Sequence, residues 1–253
     1  MAGKSAERQE QGVIDAIKRC VKTNGNKPIT VIGANGKKIN NIIAAKKHLG
    51  RTISGSEPYT DVIIQATGKQ YNVSNKGESA PSLAGGGLSG IETILPGLVK
   101  KFLVEGVKQY TNKKYKTGDY VPELFGLIDS ADVKILLRGN KEVGGPIDLM
   151  YIGPMDVKFV YKNGECTLNG NFYSIDEYYK KVGGKLYIRA RKRREDQPFT
   201  KDEVDKNGLP LIYGKSKGSP DKGRRIVVAD KAPSTAITYN IPKSGRWNLF
   251  LHS

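Results

Sequence analysis

The sequence predicts a mixed α/β (α+β) protein whose second part is rich in short strands. Near the N-terminus apolar residues recur at helical spacing, and two runs of β-forming residues then meet at a turn around Thr67-Gly68. From residue 141 onward, short β-forming segments follow one another. We therefore expect a core at 1–140 and a basic, β-rich region at 141–253, either divided near 140–145 or joined in one continuous domain.

The first predicted element is a helix over residues 5–22. Its apolar residues recur at helical spacing, at Val13, Ile14, Ile17 and Val21. Glu10 precedes the first of these by three positions, which places its carboxylate on the buried face of the helix. A short strand at 28–32 and a tight hairpin turn at Asn35-Gly36 follow.

The next predicted elements are a second helix and a pair of strands. Residues 39–49 are predicted as a helix because their apolar residues lie on one side and Gly50 can end it. Strands at 61–66 and 70–76 follow, and the glycine-rich segment at 77–87 is typical of a flexible loop. Further along, the patterns predict helices at 97–110 and 174–181, a buried strand at 133–137, and strands at 147–152, 157–161, 185–191, 209–213 and 225–229.

Charge is the strongest signal in the composition. The 253 residues include 42 Lys and Arg against 25 Asp and Glu, which leaves a formal net charge of +17. Such an excess attracts polyphosphate, so we expect a nucleic-acid partner. An anionic membrane or an acidic protein would also satisfy the charge. The sequence has, however, neither a run of about 18 apolar residues nor a basic amphipathic helix with a strong apolar face.

The cysteines and histidines are few: Cys20, Cys166, His48 and His252. They do not suffice for a disulfide scaffold or a typical zinc site, so a metal ion here would be held by carboxylates, which suit magnesium. The N-terminal residues lack the apolar segment of a secretion signal, and we expect an intracellular, cytoplasmic protein.

A basic segment lies in the predicted β-rich region. It comprises Arg189, Arg191, Lys192, Arg193 and Arg194, and Arg224 and Arg225 add to the same character. At the end of a strand these cations would form a ridge that binds phosphate, with Tyr187 placed to stack on an unpaired base. A nuclear-import signal or a solvated run of charge is the alternative interpretation.

Two neighbouring strands can bring catalytic groups together. Asp61 opens the first predicted strand, and Ser74 and Lys76 share one side of the second because side chains alternate along a strand. Hydrolysis of a phosphodiester needs a divalent ion held by carboxylates, and a lysine can orient the water or stabilise the transition state. Glu10, on the inward face of the first helix, could supply a second carboxylate.

This arrangement resembles the PD-(D/E)XK nuclease superfamily, which includes many restriction endonucleases. The stretches that carry the resemblance are Tyr59 to Ile64 and Tyr71 to Gly77, preceded by the helix with Glu10. The resemblance implies a restriction-endonuclease-like αβββαβ core over about 5–140. It also implies a Mg²⁺- or Mn²⁺-dependent DNA endonuclease acting on double-stranded DNA, as a homodimer where paired cuts are made, in a phage, viral or restriction-system setting. Asp61 would be a metal ligand, Lys76 the catalytic lysine and Glu10 the acid of the first helix, and we expect the backbone carbonyl of Asn75 to assist.

Two residues depart from the family's pattern. Thr60 stands where proline is frequent, and Ser74 stands where an acid is expected, so the site has one negative charge fewer. Glu10 or Glu78 could restore it. The competing hypothesis is a non-catalytic nucleic-acid-binding or virion-type structural protein on the same scaffold, in which Asp61 and Lys76 serve only as strand-end and edge residues.

A more literal copy of the motif occurs later in the chain. Pro146-Ile147-Asp148 is followed by Asp156-Val157-Lys158, and Gly153-Pro154 interrupts the short connection between them. We interpret its two aspartates as solvent-edge residues of neighbouring β segments.

Overall fold

The computed structural model describes residues 2–50, 52, 58–78, 87–109, 123–191 and 225–241. Within these ranges the helices are α1 (Ala2–Thr23), α2 (Gly87–Ile94), α3 (Leu98–Lys108), α4 (Ser130–Arg138) and α5 (Ile175–Lys181), with a short 3-10 helix at Lys141–Val143. The strands are β1 (Ile29–Ile32), β2 (Lys38–Lys47), β3 (Val62–Ala66), β4 (Lys69–Gly77), β5 (Leu124–Leu127), β6 (Leu149–Gly153), β7 (Phe159–Lys162), β8 (Glu165–Leu168), β9 (Asn171–Ser174), β10 (Tyr187–Arg191), β11 (Arg225–Ala229) and β12 (Ile237–Asn240). The predicted mixed α/β class is confirmed.

The chain divides into two units, each assembled from two segments. Met1–Ala80 and Leu137–Lys181 form the first unit, and Pro81–Leu136 and Val182–Ser253 form the second. The predicted division near 140 falls inside the first unit, because strands β6 to β9, which follow it, return to the sheet begun by the N-terminal segment. A single boundary along the chain therefore does not describe this protein.

The first unit is built on an eight-stranded sheet in the order β7-β8-β1-β2-β3-β4-β6-β9. Strands β2, β3 and β4 form an antiparallel meander, and β6 joins β4 in parallel. Helix α1 packs on this sheet through one apolar face. The buried residues of that face are Val13, Ile14, Ala16, Ile17, Cys20 and Val21. The predicted helix at 5–22 and the predicted strands at 61–66 and 70–76 are confirmed.

The helix predicted at 39–49 is wrong, since Lys38–Lys47 is strand β2. Its buried residues Ile39, Ile42 and Ala45 are three apart, which imitates a helix. The spacing arises because the pairing of β2 shifts register against both β1 and β3, and Asn41 takes a left-handed φ of 59°. Each irregularity inserts an extra outward residue between two inward ones.

The strand predicted at 133–137 is also wrong, since these residues lie in helix α4. Val133, Leu136 and Leu137 are buried whereas Ile135 is exposed, which is the pattern of a helix with one apolar face. Asp129 starts this helix by accepting a hydrogen bond from the N–H of Ala131 at 3.0 Å. A continuous apolar run is ambiguous between strand and helix when it is read without its neighbours.

The other described predictions agree with the structure. Helices are present at 98–108 and 175–181, and strands lie within 147–152, 157–161, 185–191 and 225–229 to within about two residues. The strand predicted at 209–213 and most of the loop at 77–87 lie outside the described residues. Within the described part of the chain, no helix is both long and apolar enough to cross a membrane.

The second unit contains a four-stranded sheet in the order β11-β10-β5-β12. Within it, β5 pairs in parallel with β12 and antiparallel with β10. Glu92 caps helix α3, because its two carboxylate oxygens accept the N–H groups of Gly97 at 2.8 Å and Val99 at 2.7 Å. This cap joins α2 firmly to α3.

The first sheet is curved, and the side chain of Asn35 connects the turn after β1 to β9. Four strands separate β1 from β9 in the sheet order, yet the turn after β1 reaches β9 directly. The side-chain amide of Asn35 donates to the carbonyl of Phe172 at 2.7 Å and accepts from the N–H of Phe172 at 3.3 Å. The sheet must therefore bend far enough to bring the β1–β2 turn against β9.

We expect Asn35→Ala to lower the free energy of unfolding by about 1–3 kcal/mol, because it removes this pair of bonds and leaves the backbone of Phe172 unsatisfied. Urea unfolding measures the change. Asn40→Ala is the matched control, since Asn40 makes one exposed hydrogen bond, from the Thr30 hydroxyl at 3.2 Å. A loss for Asn35→Ala no greater than that of the control would show that this clip does not stabilise the sheet.

Candidate active site

Asp61 is held at the start of β3 by strands on both sides. Its N–H donates to the carbonyl of Val73 in β4 at 2.9 Å, and its carbonyl accepts from the N–H of His48 at 3.0 Å. Val62, the next residue, pairs with Val73, and both lie in the core. Asp61 and Val62 are thus both joined to Val73, and Ser74, the next residue of β4, lies beside the Asp61 carboxylate.

The residues that precede this carboxylate are anchored separately. The N–H of Tyr59 donates to the carbonyl of Val143 at 2.7 Å, and the hydroxyl of Thr60 donates to the carbonyl of Gly144. Gly144 has a φ of 74°, and a Cβ at this position would lie 2.6 Å from the Cβ of Pro58. Only glycine permits this approach without strain. Thr60 thus has a structural role in anchoring the segment that precedes Asp61.

Three groups of β4 contact one carboxylate oxygen of Asp61. Its Oδ2 accepts from the backbone N–H of Asn75 at 2.7 Å and from the hydroxyl of Ser74 at 3.2 Å, and the ammonium of Lys76 lies 3.6 Å away. The side chains of Asp61 and Lys76 are 21% and 16% exposed, so the pair is only partly accessible to water. These contacts fix the carboxylate and leave one edge of it open to solvent.

Glu10 reaches the same place from α1. Its carboxylate lies 3.2 Å from the ammonium of Lys47 and is 13% exposed. Burial and then the negative charge of Asp61 raise the pKa of Glu10, against the opposing effect of Lys47 and Lys76. Glu10 is therefore within electrostatic reach of both Asp61 and Lys76.

The structure thus brings together the predicted residues Glu10, Asp61, Ser74 and Lys76. Asn75 joins them through its N–H, whereas its side chain lies on the other face of β4, as strand alternation requires. Neither polar atom of that side-chain amide has a hydrogen-bond partner among the described residues, although both are buried. Whether the carbonyl of Asn75 binds an ion stays a prediction.

Two residues at the site were missed by the sequence analysis. Lys47 ends β2, and the incorrect helix at 39–49 concealed its position beside Glu10. Gln9 is a buried polar residue in α1 whose amide contacts the ends of β4 and β6. Its spacing of four and eight from Val13 and Ile17 could have revealed it, because these positions share one helix face.

The basic segment is described only in part. Arg189 is 17% exposed, forms hydrogen bonds with both carboxylate oxygens of Glu123 at 2.8–3.0 Å, and lies over the ring of Phe125. Its guanidinium is committed to an internal ion pair, which argues against its predicted place on an open phosphate-binding ridge. Arg191 and Arg225 pair through their backbones across β10 and β11, but their side chains lie outside the description, as do residues 192–194 and Arg224.

Asp148, in the later copy of the motif, has a structural role. Its carboxylate accepts the N–H of Asn72 at 2.8 Å, and its own N–H donates to the carbonyl of Asn72 at 2.9 Å. Asp156 is exposed and offers its carbonyl to the side chain of Asn169 at 3.0 Å. These contacts favour a structural interpretation of both aspartates, but only Asp156 is exposed, and Asp148 is half-buried between the interior strands β4 and β6.

The donor set at the site fits a magnesium ion held largely by water. No group of three or more His, Cys, Asp or Glu side chains suited to a metal occurs among the described residues. Mg²⁺, however, commonly binds one or two carboxylates and keeps several waters. Asp61 and Glu10 supply two carboxylates. Burial and then the charge of Asp61 raise the pKa of Glu10, and a divalent cation would relieve the repulsion between the two carboxylates. Glu78 is exposed. Burial, with a smaller effect from the charge of Glu78, raises the pKa of Tyr151 to about 12.

The chain was compared with protein-family models, with curated proteins and with solved structures, and none of them matches it. Function is therefore argued from the residues of the site and from charge.

The raised pKa of Glu10 makes stability depend on pH with a definite sign. The folded state holds this proton more tightly than the unfolded state does, so stability falls as the pH rises from the ordinary glutamate range through the raised pKa. We expect Glu10→Gln to remove this decline and, at neutral pH, to raise the melting temperature by up to about 3 °C. Urea and thermal unfolding of the metal-free protein between pH 4 and 8 measure both effects.

Glu7→Gln is the control, because Glu7 lies in the same helix and is exposed. Its stability curve should follow that of the wild type. If Glu10→Gln showed the same pH dependence as the wild type, Glu10 would not carry an unfavourable charge in the folded protein.

Proposed function

We propose that this chain is a metal-dependent DNA endonuclease that hydrolyses phosphodiester bonds. The observation that carries the proposal is the convergence of Asp61, Lys76 and Glu10 at the junction of β3, β4 and α1, with 3.6 Å between the Lys76 ammonium and the Asp61 carboxylate. A net charge of +17 supports a nucleic-acid substrate, and we take double-stranded DNA as the first to test.

The first unit supports a restriction-endonuclease-like core as part of this proposal. Helix α1, the antiparallel meander β2-β3-β4 and the parallel strand β6 occur in this order along the chain, with β1 between α1 and β2 and with α2, α3, β5 and α4 between β4 and β6. Strands β1, β7, β8 and β9 extend its sheet. The candidate site lies where the meander and the first helix meet, at the position that the resemblance to PD-(D/E)XK nucleases implies.

Each residue of the site has a separate task in this proposal. Asp61 and Glu10 would hold Mg²⁺ or Mn²⁺, and a bound ion of this kind supplies a more acidic water and neutralises charge on the phosphate. Lys76 orients the attacking water or stabilises negative charge as it develops. Ser74 and the N–H of Asn75 hold the Asp61 carboxylate in place. Lys47 balances Glu10 and, being 45% exposed, can turn away from it toward solvent.

We expect Asp61→Asn and Lys76→Met to reduce Mg²⁺-dependent nicking of a supercoiled plasmid by at least about 100-fold while DNA binding changes little. Both remove one group of the site and nearly preserve its shape. Lys69→Met is the matched control, because Lys69 lies at the opposite end of β4, with its ammonium over Tyr71. It should cut normally, and EDTA should stop cutting by every active form.

The same assay separates the two candidate functions. The serine in place of an acid at 74 favours the alternative, a non-catalytic nucleic-acid-binding or virion-type structural protein on this scaffold. Salt-sensitive retardation of DNA without any Mg²⁺-dependent nicking would support that alternative. Normal cutting by both site variants would show that the active site lies elsewhere.

Ser74 offers a gain-of-function test. Its hydroxyl lies 3.2 Å from Asp61 Oδ2, so Ser74→Asp would place a third carboxylate at the site. In EDTA we expect this variant to be less stable by roughly 1–3 kcal/mol, because like charges repel in a partly buried place. We expect it to bind Mn²⁺ about tenfold more tightly, since affinity follows the charge of the ligand set.

Ser74→Ala is the control for the loss of the hydroxyl alone. Calorimetry with Mn²⁺ and urea unfolding with and without the ion measure the two effects. Equal Mn²⁺ affinity for Ser74→Asp and Ser74→Ala would mean that residue 74 does not face the ion.

A further inference from the structure

Gln9 is the one described side chain between residues 6 and 12 that is buried, at 2% exposed. Its amide nitrogen donates toward three backbone carbonyls, those of Gly153 at 2.7 Å, Lys76 at 3.2 Å and Pro154 at 3.2 Å. An amide has two N–H groups, so three acceptors saturate it. This side chain is a buried polar anchor and not part of the apolar face of α1.

The Gln9 amide connects the two parts of the candidate site, which are the turn of α1 that bears Glu10 and the end of β4 that bears Lys76. Gln9 directly precedes Glu10, and one of its acceptors is the carbonyl of Lys76 itself. The other acceptors lie at the end of β6, the parallel neighbour of β4. One side chain thus relates the helix that bears the carboxylate to the strand that bears the ammonium.

The rest of α1 does not provide this relation. The apolar contacts of the helix begin at Val13 and continue toward its C-terminal end. Such contacts are non-directional and tolerate small rotations of a helix. The turn that contains Glu10 has Ala6, Glu7 and Arg8 exposed beside it. Glu10 pairs with Lys47, and the bonds of Gln9 add a directional link from this turn to the ends of β4 and β6.

We propose that Gln9 is a positioning residue that sets the Glu10 carboxylate against Asp61 and Lys76. It does not touch substrate or metal, and it acts through the backbone of Lys76 and Gly153. The role rests on the proposed function, because it matters only if Glu10 and Asp61 bind a cation together.

The test compares Gln9→Leu with the wild type in the full-length chain. Leucine keeps most of the volume but donates no hydrogen bond. We expect Mn²⁺ to bind about tenfold or more weakly, as followed by the electron paramagnetic resonance signal of free Mn²⁺. With plasmid as substrate, kcat should fall while KM for DNA stays within about twofold, since the Gln9 side chain is buried.

Ile17→Val is the matched control on the same helix. Ile17 is buried in the core, so this variant loses stability without losing the directional anchor. It should bind Mn²⁺ as the wild type does. Gln9→Asn is the second variant, for use if Gln9→Leu does not fold. It keeps the amide but is one methylene too short to reach all three carbonyls, and it should weaken Mn²⁺ binding in the same direction.

The outcomes are distinct. If the wild type binds Mn²⁺ and the Gln9 variants bind it equally well, the positioning role is overturned while the proposed function stands. If the Gln9 variants and Ile17→Val weaken Mn²⁺ binding alike, Gln9 contributes only stability and the role is again overturned. If the wild type binds no Mn²⁺, the proposed function fails and the role fails with it.

Discussion

The Asp61 carboxylate is the interaction on which the site depends. A partly buried carboxylate is costly unless it is hydrogen-bonded and paired. Here the N–H of Asn75, the hydroxyl of Ser74 and the ammonium of Lys76 all reach the same oxygen. All three come from consecutive residues of β4, so the pairing of β3 with β4 creates the environment of Asp61 directly. A shift of one residue in that pairing would remove it.

The negative charge of Glu10 is compensated less completely than that of Asp61. Lys47 pairs with it at 3.2 Å, yet burial and the charge of Asp61 still raise its pKa. Two carboxylates that repel each other beside two amines are poorly arranged for stability alone. In the proposed function, a divalent cation would relieve this repulsion. Gln9 matters in this setting because it holds the less favourable carboxylate where the cation would need it.

The candidate site was predictable where it follows from local alternation and periodicity. Ser74 and Lys76 could be assigned to one side of their strand from strand alternation, and Glu10 to the inner face of its helix from helical spacing. Lys47 escaped because the bulges in β2 imitate a helical period. Arg189 was assigned to an open ridge because Glu123, its partner in the second unit, is 66 residues away in the chain. A pairing between residues so far apart cannot be recognised from the residues next to either of them.

The amino-acid pattern alone was sufficient to specify α1 and the β3–β4 hairpin, because one apolar face and one tight turn dictate each of them locally. Contacts between distant segments decided the rest. Strands β6 to β9 join the first sheet through β4 and β1, and the turn at Asn35 closes on β9. Residues 133–137 are helical although their apolar run would also suit a strand. Hydrogen bonding between strands depends on which edge is free in three dimensions, and neither composition nor spacing records that.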